Sequence, residues 1–564
     1  MDHANPLPPI LTTESIQKPK NSPLGGYVLA LVVPFIITVG LLYAYSRYSN
    51  NIDQRVSFAP AKKIIRVDDG TFGLSTIGSE EEYRDILMHL TPTPRIVADT
   101  LASFEADLRA PAARDPFAPA IIDLQKSLLP SPAKLLADGS TLYASQNGKT
   151  YVLTSISGKD PRQASIIPEG GTLLSSPDAL FILSAEAPGS SRLSAYQTKD
   201  PTKPTKLWTL TTSQTSRIVF STLYKDELVL GISSSLTTGL PCAMTIATIY
   251  DKPVDIDCAT ILSPTTPFIA DSIVTIIKIR PDDAQIASSI SSFAKLPINE
   301  PVFAGADSLY VSFPIAERTG IAQISLSDLS VSTLQVQGKL ATNGALYEMN
   351  NGKLVAVTEL PTTNNWNLII AYSGTFSGVP TDSLQKVVSK SNMYALQNHL
   401  LVPPTSKGDQ YRIIDLADNS SASLGGAIEP EGVNTQLYQL EGALCLMTGT
   451  SEDDTTFTVF DLTTSTKPVK VSYTLFEKYK AGIGPNVSKL VINKTSRKFY
   501  MRDLRAVHLF SYSTSGIIKL LKTFPDYTYD QGVIVGSRAY FLSEGSIDSV
   551  SFDDYIVNRV VTLN

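Results

Sequence analysis

From about residue 138 onward one unit keeps returning. It has a turn of Asp, Gly, Asn or Ser, a strand carrying Leu with Tyr or Phe, and a polar gap; a second strand often ending in an aromatic residue plus Asp follows, then a Lys-Pro turn and a further strand. The unit is legible in "STLYASQNGKTYVLTSI", in "DALFILSAEAPGSSRLSAYQTKDPTKP", in "GALCLMTGT" with "FTVFDLTTSTKP", and in "SRAYFLSEGSIDSVSFDD". Copies recur roughly 38 to 54 residues apart, apart from one longer unit between Lys225 and Ala304, and this spacing brackets a four-stranded propeller blade. One blade cannot bury both faces of its small sheet, so blades stack radially and close into a ring. The expected fold is all-β: a β-propeller of about eight four-stranded blades, seven to nine, over residues 118–564. The last unit reads as cut short at Asn564, so a strand from "AIIDLQKSLL" is expected to complete the terminal blade. Two stacked β-sandwiches, or a smaller propeller beside a sandwich, are the alternative architectures.

Ahead of the repeats the run from Leu24 to Tyr45 carries no charge and would span about 33 Å as a helix, enough for a bilayer core. It follows a polar segment longer than the short basic start of a signal peptide, so a permanent anchor is expected. Residues 1–23 then form a cytoplasmic tail, 24–45 a transmembrane helix, and 46–117 a stalk of two short helices and a linker. Lys18 and Lys20 on one side balance Arg47 and Arg55 on the other. The long Ser/Thr-rich region after the span decides the orientation: a single-pass cell-membrane protein whose C-terminal domain is extracytoplasmic. Sequons at Asn419, Asn486 and Asn493 fit that side. The first stalk helix is expected in "SEEEYRDILMHL", where Ser79 and Glu82 form a capping box and Tyr83, Ile86, Leu87 and Leu90 share one face. The second is "PRIVADTLASFEADL".

In order along the chain, several of these segments resemble those of secreted or membrane-anchored archaeal and bacterial proteins that carry a C-terminal β-propeller distantly related to WD-type repeats. "SEEEYRDILMHL" resembles their short helix before the propeller, "LYEMNNGKLVAVTEL" an acidic turn leading into a Leu-rich strand, and "TVFDLTTSTKPVKVS" the strand, Asp, Lys-Pro blade turn. "GVIVGSRAYFLSEGSIDSVSFDDYIVNRV" resembles their final blade. The resemblance implies a fold and an extracytoplasmic location, and no shared activity. Where those proteins have an acidic motif ending in Lys-Thr-Asp-Gly, this chain has only "LLADGS".

The chemistry is sparse. Lys plus Arg total 47 against 53 for Asp plus Glu, a net charge of -6 without a basic block, so no nucleic-acid partner is expected. None of the four histidines, His3, His89, His399 and His508, stands at metal-ligand spacing from another His or Cys. There is no Gly-x-Ser-x-Gly elbow, phosphate-binding Gly loop or His-Glu-x-x-His helix, and no catalytic residue is nominated. Asp415 and Asp461, each at a strand end, read as turn caps. Glu452, Asp453 and Asp454 are adjacent carboxylates and the candidates for a cation; calcium at that loop apart, no cofactor is expected. Cys242 and Cys258 bracket two alternating runs that turn at Asp251 and Lys252, a hairpin that sets them up either as a disulfide or as two separately buried thiols, and Cys445 reads as core. The expected function is a non-catalytic binding or scaffold module for an extracytoplasmic protein or surface polymer. The alternatives are an enzyme acting on cell-envelope glycans through rim carboxylates, and a purely structural envelope component.

Overall fold

The computed structural model describes residues 72–89, 121–123 and, with interruptions, 133–563, the longer interruptions being 237–243, 295–301, 381–392, 403–409 and 477–489. Residues 67–564 form one compact unit. Among its described residues nine sheets follow one another along the chain, each with four antiparallel blade strands at its heart. We number them as blades 1 to 9, from Leu135–Asp138, the inner strand of blade 1, to Val557–Thr562, the outer strand of blade 9. The count lies within the range the repeats led us to expect.

Alternation along each strand explains the ring. Successive side chains point to opposite faces, and here both faces are apolar. The face of blade 7 that bears Phe457 and Val459 packs against Phe499 and Phe510 of blade 8, while the face that bears Cys445 and Phe460 packs against Leu401 and Ile413 of blade 6. Nine hydrophobic clusters among the described residues occupy the nine seams, and the ninth joins Tyr540 and Ile547 of blade 9 to Leu142 and Leu153 of blade 1. Register shifts between the third and fourth strands recur in blades 1, 2, 3, 5, 6, 7, 8 and 9, adding local twist at the outer strand.

Two expectations need correction. Blade 9 has all four of its own strands, and Ile121–Asp123 does not complete it; that segment pairs in parallel with Met393–Leu396, the first of the four strands of blade 6, at the channel side of the sheet. Closure therefore rests on side chains: Gln531 of blade 9 accepts hydrogen bonds through Oε1 from the backbone N–H of Lys134 (3.0 Å) and Leu135 (2.9 Å).

The pre-propeller helix is present but is not a projecting stalk. In the helix Glu80–His89 the Glu82 N–H donates to Ser79 Oγ at 3.1 Å, and the Glu82 carboxylate reaches back to the Gly78 N–H at 2.8 Å, one residue before the expected partner. Its apolar face, Tyr83, Ile86 and Leu87, is laid against blades 2 and 3, with the Tyr83 ring stacked on Phe293 at 6.2 Å. Just upstream, Leu74–Thr76 pairs with Leu262–Pro264 at the outer edge of blade 3. Phe72 enters the seam with blade 4, its ring 5.3 Å from that of Phe313. Gly320 makes room for it, since a Cβ there would lie 2.5 Å from the Phe72 ring. Residues 72–89 are thus a strap bound to the ring. The transmembrane helix expected at 24–45 and the second helix expected after Pro94 lie outside the described residues; among the described residues no helix is long and apolar enough to cross a membrane.

The long unit between Lys225 and Ala304 is explained by an insertion. Between the second and third strands of blade 3 the chain turns back, and its hairpin Met244–Ile249 and Lys252–Ile256 extends the outer edge of blade 2. Tyr250 and Asp251 make its turn with φ of 51° and 61°, the left-handed pair that matches strand twist in a two-residue hairpin. Blades 2 and 3 are therefore broadened by strands from outside their own repeats.

Because Gly320 is the socket of Phe72, Gly320→Val is expected to expel the strap: proteolysis within residues 72–89 should accelerate while the far-ultraviolet circular dichroism of the ring persists. Phe72→Ala should lower stability by about 3–5 kcal/mol, the usual range for truncating a buried Phe, read as a fall in the denaturant midpoint.

Candidate functional site

The polar groups brought together by the fold lie mainly where blades meet. In several blades the turn between the third and fourth strands is gripped by a side chain of the preceding blade. Ser165 of blade 1 donates to the Pro201 carbonyl at 2.6 Å, and Ser472 of blade 7 to the Gly516 carbonyl at 2.7 Å. Lys498 of blade 8 donates to the Phe552 carbonyl at 2.7 Å, its ammonium lying over the Phe552 and Tyr555 rings. The most buried of these cations is Lys278 of blade 3, which donates to the carbonyls of Leu326 (2.9 Å) and Ser327 (3.2 Å) in blade 4 and pairs with Glu227 at 2.6 Å. An ammonium has three N–H donors, and these partners engage all of them. Beside it, the Tyr224 hydroxyl donates to Asp307 Oδ1 at 2.8 Å across the same seam.

The first turns of blades 7 and 8 are tied in the same way. Lys494 Nζ donates to Gln439 Oε1 at 2.7 Å, and Arg497 grips Glu441 through Nε at 2.7 Å. That ion pair lowers the Glu441 pKa and raises that of Arg497. The sequon residue Asn493 belongs to this row: its Nδ2 donates to the Gly536 carbonyl of blade 9 at 3.2 Å, and its Oδ1 accepts from the Ser496 N–H at 3.0 Å.

At the junction of blades 6 and 7 a serine, an aspartate and a histidine converge. Ser465 Oγ donates to Asp415 Oδ2 at 2.6 Å, and His399 Nε2 stands 4.0 Å from the same oxygen. Nucleophilic catalysis needs the imidazole between serine and carboxylate, so that the ring can take the hydroxyl proton. Here the carboxylate stands in the middle, and the serine proton is already directed onto it. Burial lowers the His399 pKa, partly offset by Asp415, which favours the neutral ring. The group therefore orders a seam: the Ser465 carbonyl accepts from the Gly426 N–H of blade 6 at 2.8 Å, and a Cβ on neighbouring Gly425 would come within 2.7 Å of it.

The other sequence candidates separate. Asp461 caps its turn as expected, accepting from the Thr463 N–H (2.9 Å) and hydroxyl (2.6 Å). Asp200, Asp328 and Asp554 occupy the equivalent turn of blades 2, 4 and 9 and accept from the N–H two residues on. Asp415 accepts from Ser465 of the next blade, and the turn that follows it, from residue 417, lies outside the described residues. Glu452 and Asp453 lie outside the described residues; Asp454 opens a strand opposite Ser451, and no cluster of potential metal ligands is found among the described residues. Cys258 is disulfide-bonded, and Cys242 lies outside the described residues. Cys445 is a free, fully buried thiol whose pKa burial pushes up to about 12. His508 is fully buried in the seam of blades 7 and 8, against Phe476, with Nδ1 3.1 Å from Thr523 Oγ1.

Sequence reasoning missed one further group. Glu348, on the inner strand Leu346–Glu348 of blade 5, meets Tyr310 of blade 4. Burial first, and the adjacent Glu348 carboxylate second, hold the Tyr310 phenol far above its ordinary pKa. Gln323 Nε2 donates to the Tyr310 hydroxyl at 3.3 Å. Gly305 leaves the space the carboxylate fills, because a Cβ there would lie 1.6 Å from Glu348 Oε2. The signal was the glycine after Val302–Ala304, unremarkable without its neighbour.

These features define an all-β propeller whose polar groups tie blade to blade. No family model matches the chain. It is similar to an uncharacterized protein of Archaeoglobus fulgidus, with 19% identity over 447 residues, 63% of this chain and 68% of that protein. Among solved structures it is similar to the uncharacterized protein lmo1340 of Listeria monocytogenes, with 11% identity, 60% of this chain and 92% of that one covered, and a TM-score of 0.33. A putative 6-phosphogluconolactonase of Bacteroides fragilis shares 10% identity, with 62% and 95% covered and a TM-score of 0.31. At such scores neither structure bears on a site or an activity.

The turn aspartates give a pH prediction. Hydrogen bonds from the Ser330 N–H and hydroxyl lower the Asp328 pKa to about 2. A carboxyl depressed on folding stabilises the folded state above its unfolded pKa, and that contribution is lost as pH falls through the folded value. The Asp328 share should therefore be full above about pH 5 and fade toward pH 2. Thermal melts of Asp328→Ala and wild type should differ most near neutrality and converge in acid; a difference that does not change with pH would contradict the assignment.

Proposed function

We propose that this chain is a membrane-anchored, extracytoplasmic β-propeller acting as a non-catalytic binding or scaffold module for a protein or a cell-surface polymer, with residues 24–45 as its membrane helix. The observation that carries the reading is the disulfide at Cys258, because such bonds persist in oxidising compartments outside the cytoplasm. Cys242 is its proposed partner. In the sequence Cys242 and Cys258 flank the hairpin, whose register sets Met244 opposite Ile256. A bridge closing that loop is worth about 3 kcal/mol. Support for a binding role comes from the seams: Lys278, Asp415, Lys498 and Arg497 spend their charges on neighbouring blades, while the loops of a propeller face are free to vary and recognise.

The test is a full-length chain tagged after Asn564. In intact cells the tag should react with a membrane-impermeant reagent, and the protein should stay in the pellet after a carbonate wash. A non-reducing peptide map should contain a Cys242–Cys258 cross-linked peptide that disappears on reduction. Labelling only after lysis would overturn the topology, a free Cys258 thiol would remove the compartment argument, and hydrolysis of envelope glycans by the purified chain would replace the binding reading with the enzymatic one.

A further inference from the structure

The strap of residues 72–89 sits on a segment that is itself lightly attached to the ring. Between Gly73 and Ile77 it bonds to residues 261–265: Leu74–Thr76 pairs with Leu262–Pro264, the Ile77 N–H donates to the Ile261 carbonyl at 2.9 Å, and the Gly73 carbonyl accepts from the Thr265 N–H at 2.9 Å. The ladder between this seat and the blade 3 strand Ile286–Ala294 is a single described pair, Leu262 with Ser292, beside a hydrogen bond from Ser292 Oγ to the Leu262 carbonyl at 3.3 Å. Two features weaken the docking further. The Tyr83 hydroxyl is fully buried without a hydrogen-bond partner among the described residues, which costs free energy that a docked phenyl ring would not. A cavity of about 10 Å³ walled by Leu74, Leu262, Val311 and Phe313 leaves the contact with the seam of blades 3 and 4 incompletely filled. The helix Glu80–His89 has ten residues, too few to hold its shape without packing.

A covalent bond stands at the head of the seat. Cys258 is disulfide-bonded and buried, and it shares one apolar cluster with Ile77, Tyr83 and Leu87 of the strap. A single helical turn, Cys258–Thr260, leads from it into the seat; Asp257 caps that turn by accepting from the Ala259 N–H at 3.0 Å. The Ile261 N–H then donates to the Cys258 carbonyl at 3.1 Å, while the Ile261 carbonyl receives the Ile77 N–H. The bond and the first hydrogen bond to the strap are thus one turn apart.

We propose that the Cys258 disulfide locks the strap, and that its reduction by a dithiol lets residues 72–89 lift from the ring while the ring stays closed. The bond fixes the chain where it enters the seat. Without it the segment gains the freedom of an open loop when it leaves the blade, so the docked state of seat and strap is favoured less. The seams from blade 4 round to blade 2 contain neither Cys258 nor a residue of the strap, so closure does not depend on the bond. In the reduction one thiolate of the dithiol attacks a sulfur of the bond, and its second thiolate resolves the mixed disulfide. Two electrons and two protons pass to the protein, and the dithiol leaves as a cyclic disulfide. The lock rests on the disulfide that supports the location proposed above, and is independent of the membrane helix.

The experiment is amide hydrogen exchange of the full-length chain in mild detergent, read by mass spectrometry before and after treatment with a dithiol, with a peptide map recording the state of Cys258. Reduction is expected to speed exchange in the peptide carrying Ile77 and Tyr83 at least about tenfold. Peptides from Leu444–Ser451 of blade 7 and Ala506–Tyr512 of blade 8 should exchange as before. Cys258→Ala should show the fast strap exchange with or without the dithiol, and the comparison within the wild-type chain stands even where that variant does not fold. Equal strap exchange in the oxidised and reduced chains overturns the lock and leaves the compartment argument intact. Blades 7 and 8 loosening together with the strap also overturns it, because the bond would then hold the whole ring. A Cys258 thiol that is free before treatment overturns both readings.

Discussion

Everything in this molecule depends on the inability of a four-stranded sheet to stand alone with two apolar faces. Burial of such faces is worth roughly 25 cal/mol per Å², but only if another sheet lies on each side. A row of blades would leave one face bare at each end, and a closed ring leaves none. That is why Phe457 faces Phe499 and Phe510, why Leu401 faces Phe460, and why the same arrangement continues to the meeting of Ile547 with Leu142. No blade is stable except as a neighbour.

Hydrophobic faces alone do not fix how far one blade is rotated or shifted against the next. The polar grips supply that. Lys278 on two carbonyls of blade 4, Ser465 on Asp415, and Lys498 on the Phe552 carbonyl each hold a turn of one blade at a single place on another. A buried ammonium deprived of those partners would leave an unpaired charge, which is costly, so a misaligned seam is penalised more than its lost apolar contact would suggest. Lys278, Asp415 and Lys498 thus spend their charges on the seams.

The repeat was legible because its signals are local: a turn aspartate such as Asp461, an alternating strand, a hairpin such as the one that turns at Tyr250 and Asp251. The capping box at Ser79 was legible for the same reason. What the sequence could not show was the destination of an apolar face. Tyr83 and Leu87 announced that the helix must pack on something, but their partner Phe293 lies some two hundred residues away. Ile121–Asp123 reads as a strand, yet its partner is chosen by tertiary proximity to Met393–Leu396, and short strands pair wherever an edge is offered. The insertion that widens blade 2 was visible as an overlong unit and as a hairpin, but not the blade edge on which that hairpin docks. The candidate sites fared less well, because the meeting of Glu348 with Tyr310, or of His399 with Asp415, is decided by which blades are neighbours.

The closure between blades 1 and 9 has a consequence for how such a ring can change over evolutionary time. Each of these two blades is built from one uninterrupted stretch of chain, and they meet through the Gln531 side chain and an apolar seam without exchanging a strand. Duplicating or deleting a stretch that encodes one blade would therefore alter the circumference of the ring without dismantling the joint. Architectures that share a strand across the joint bind their two ends into one sheet; this one lets the length of the gene set the size of the ring.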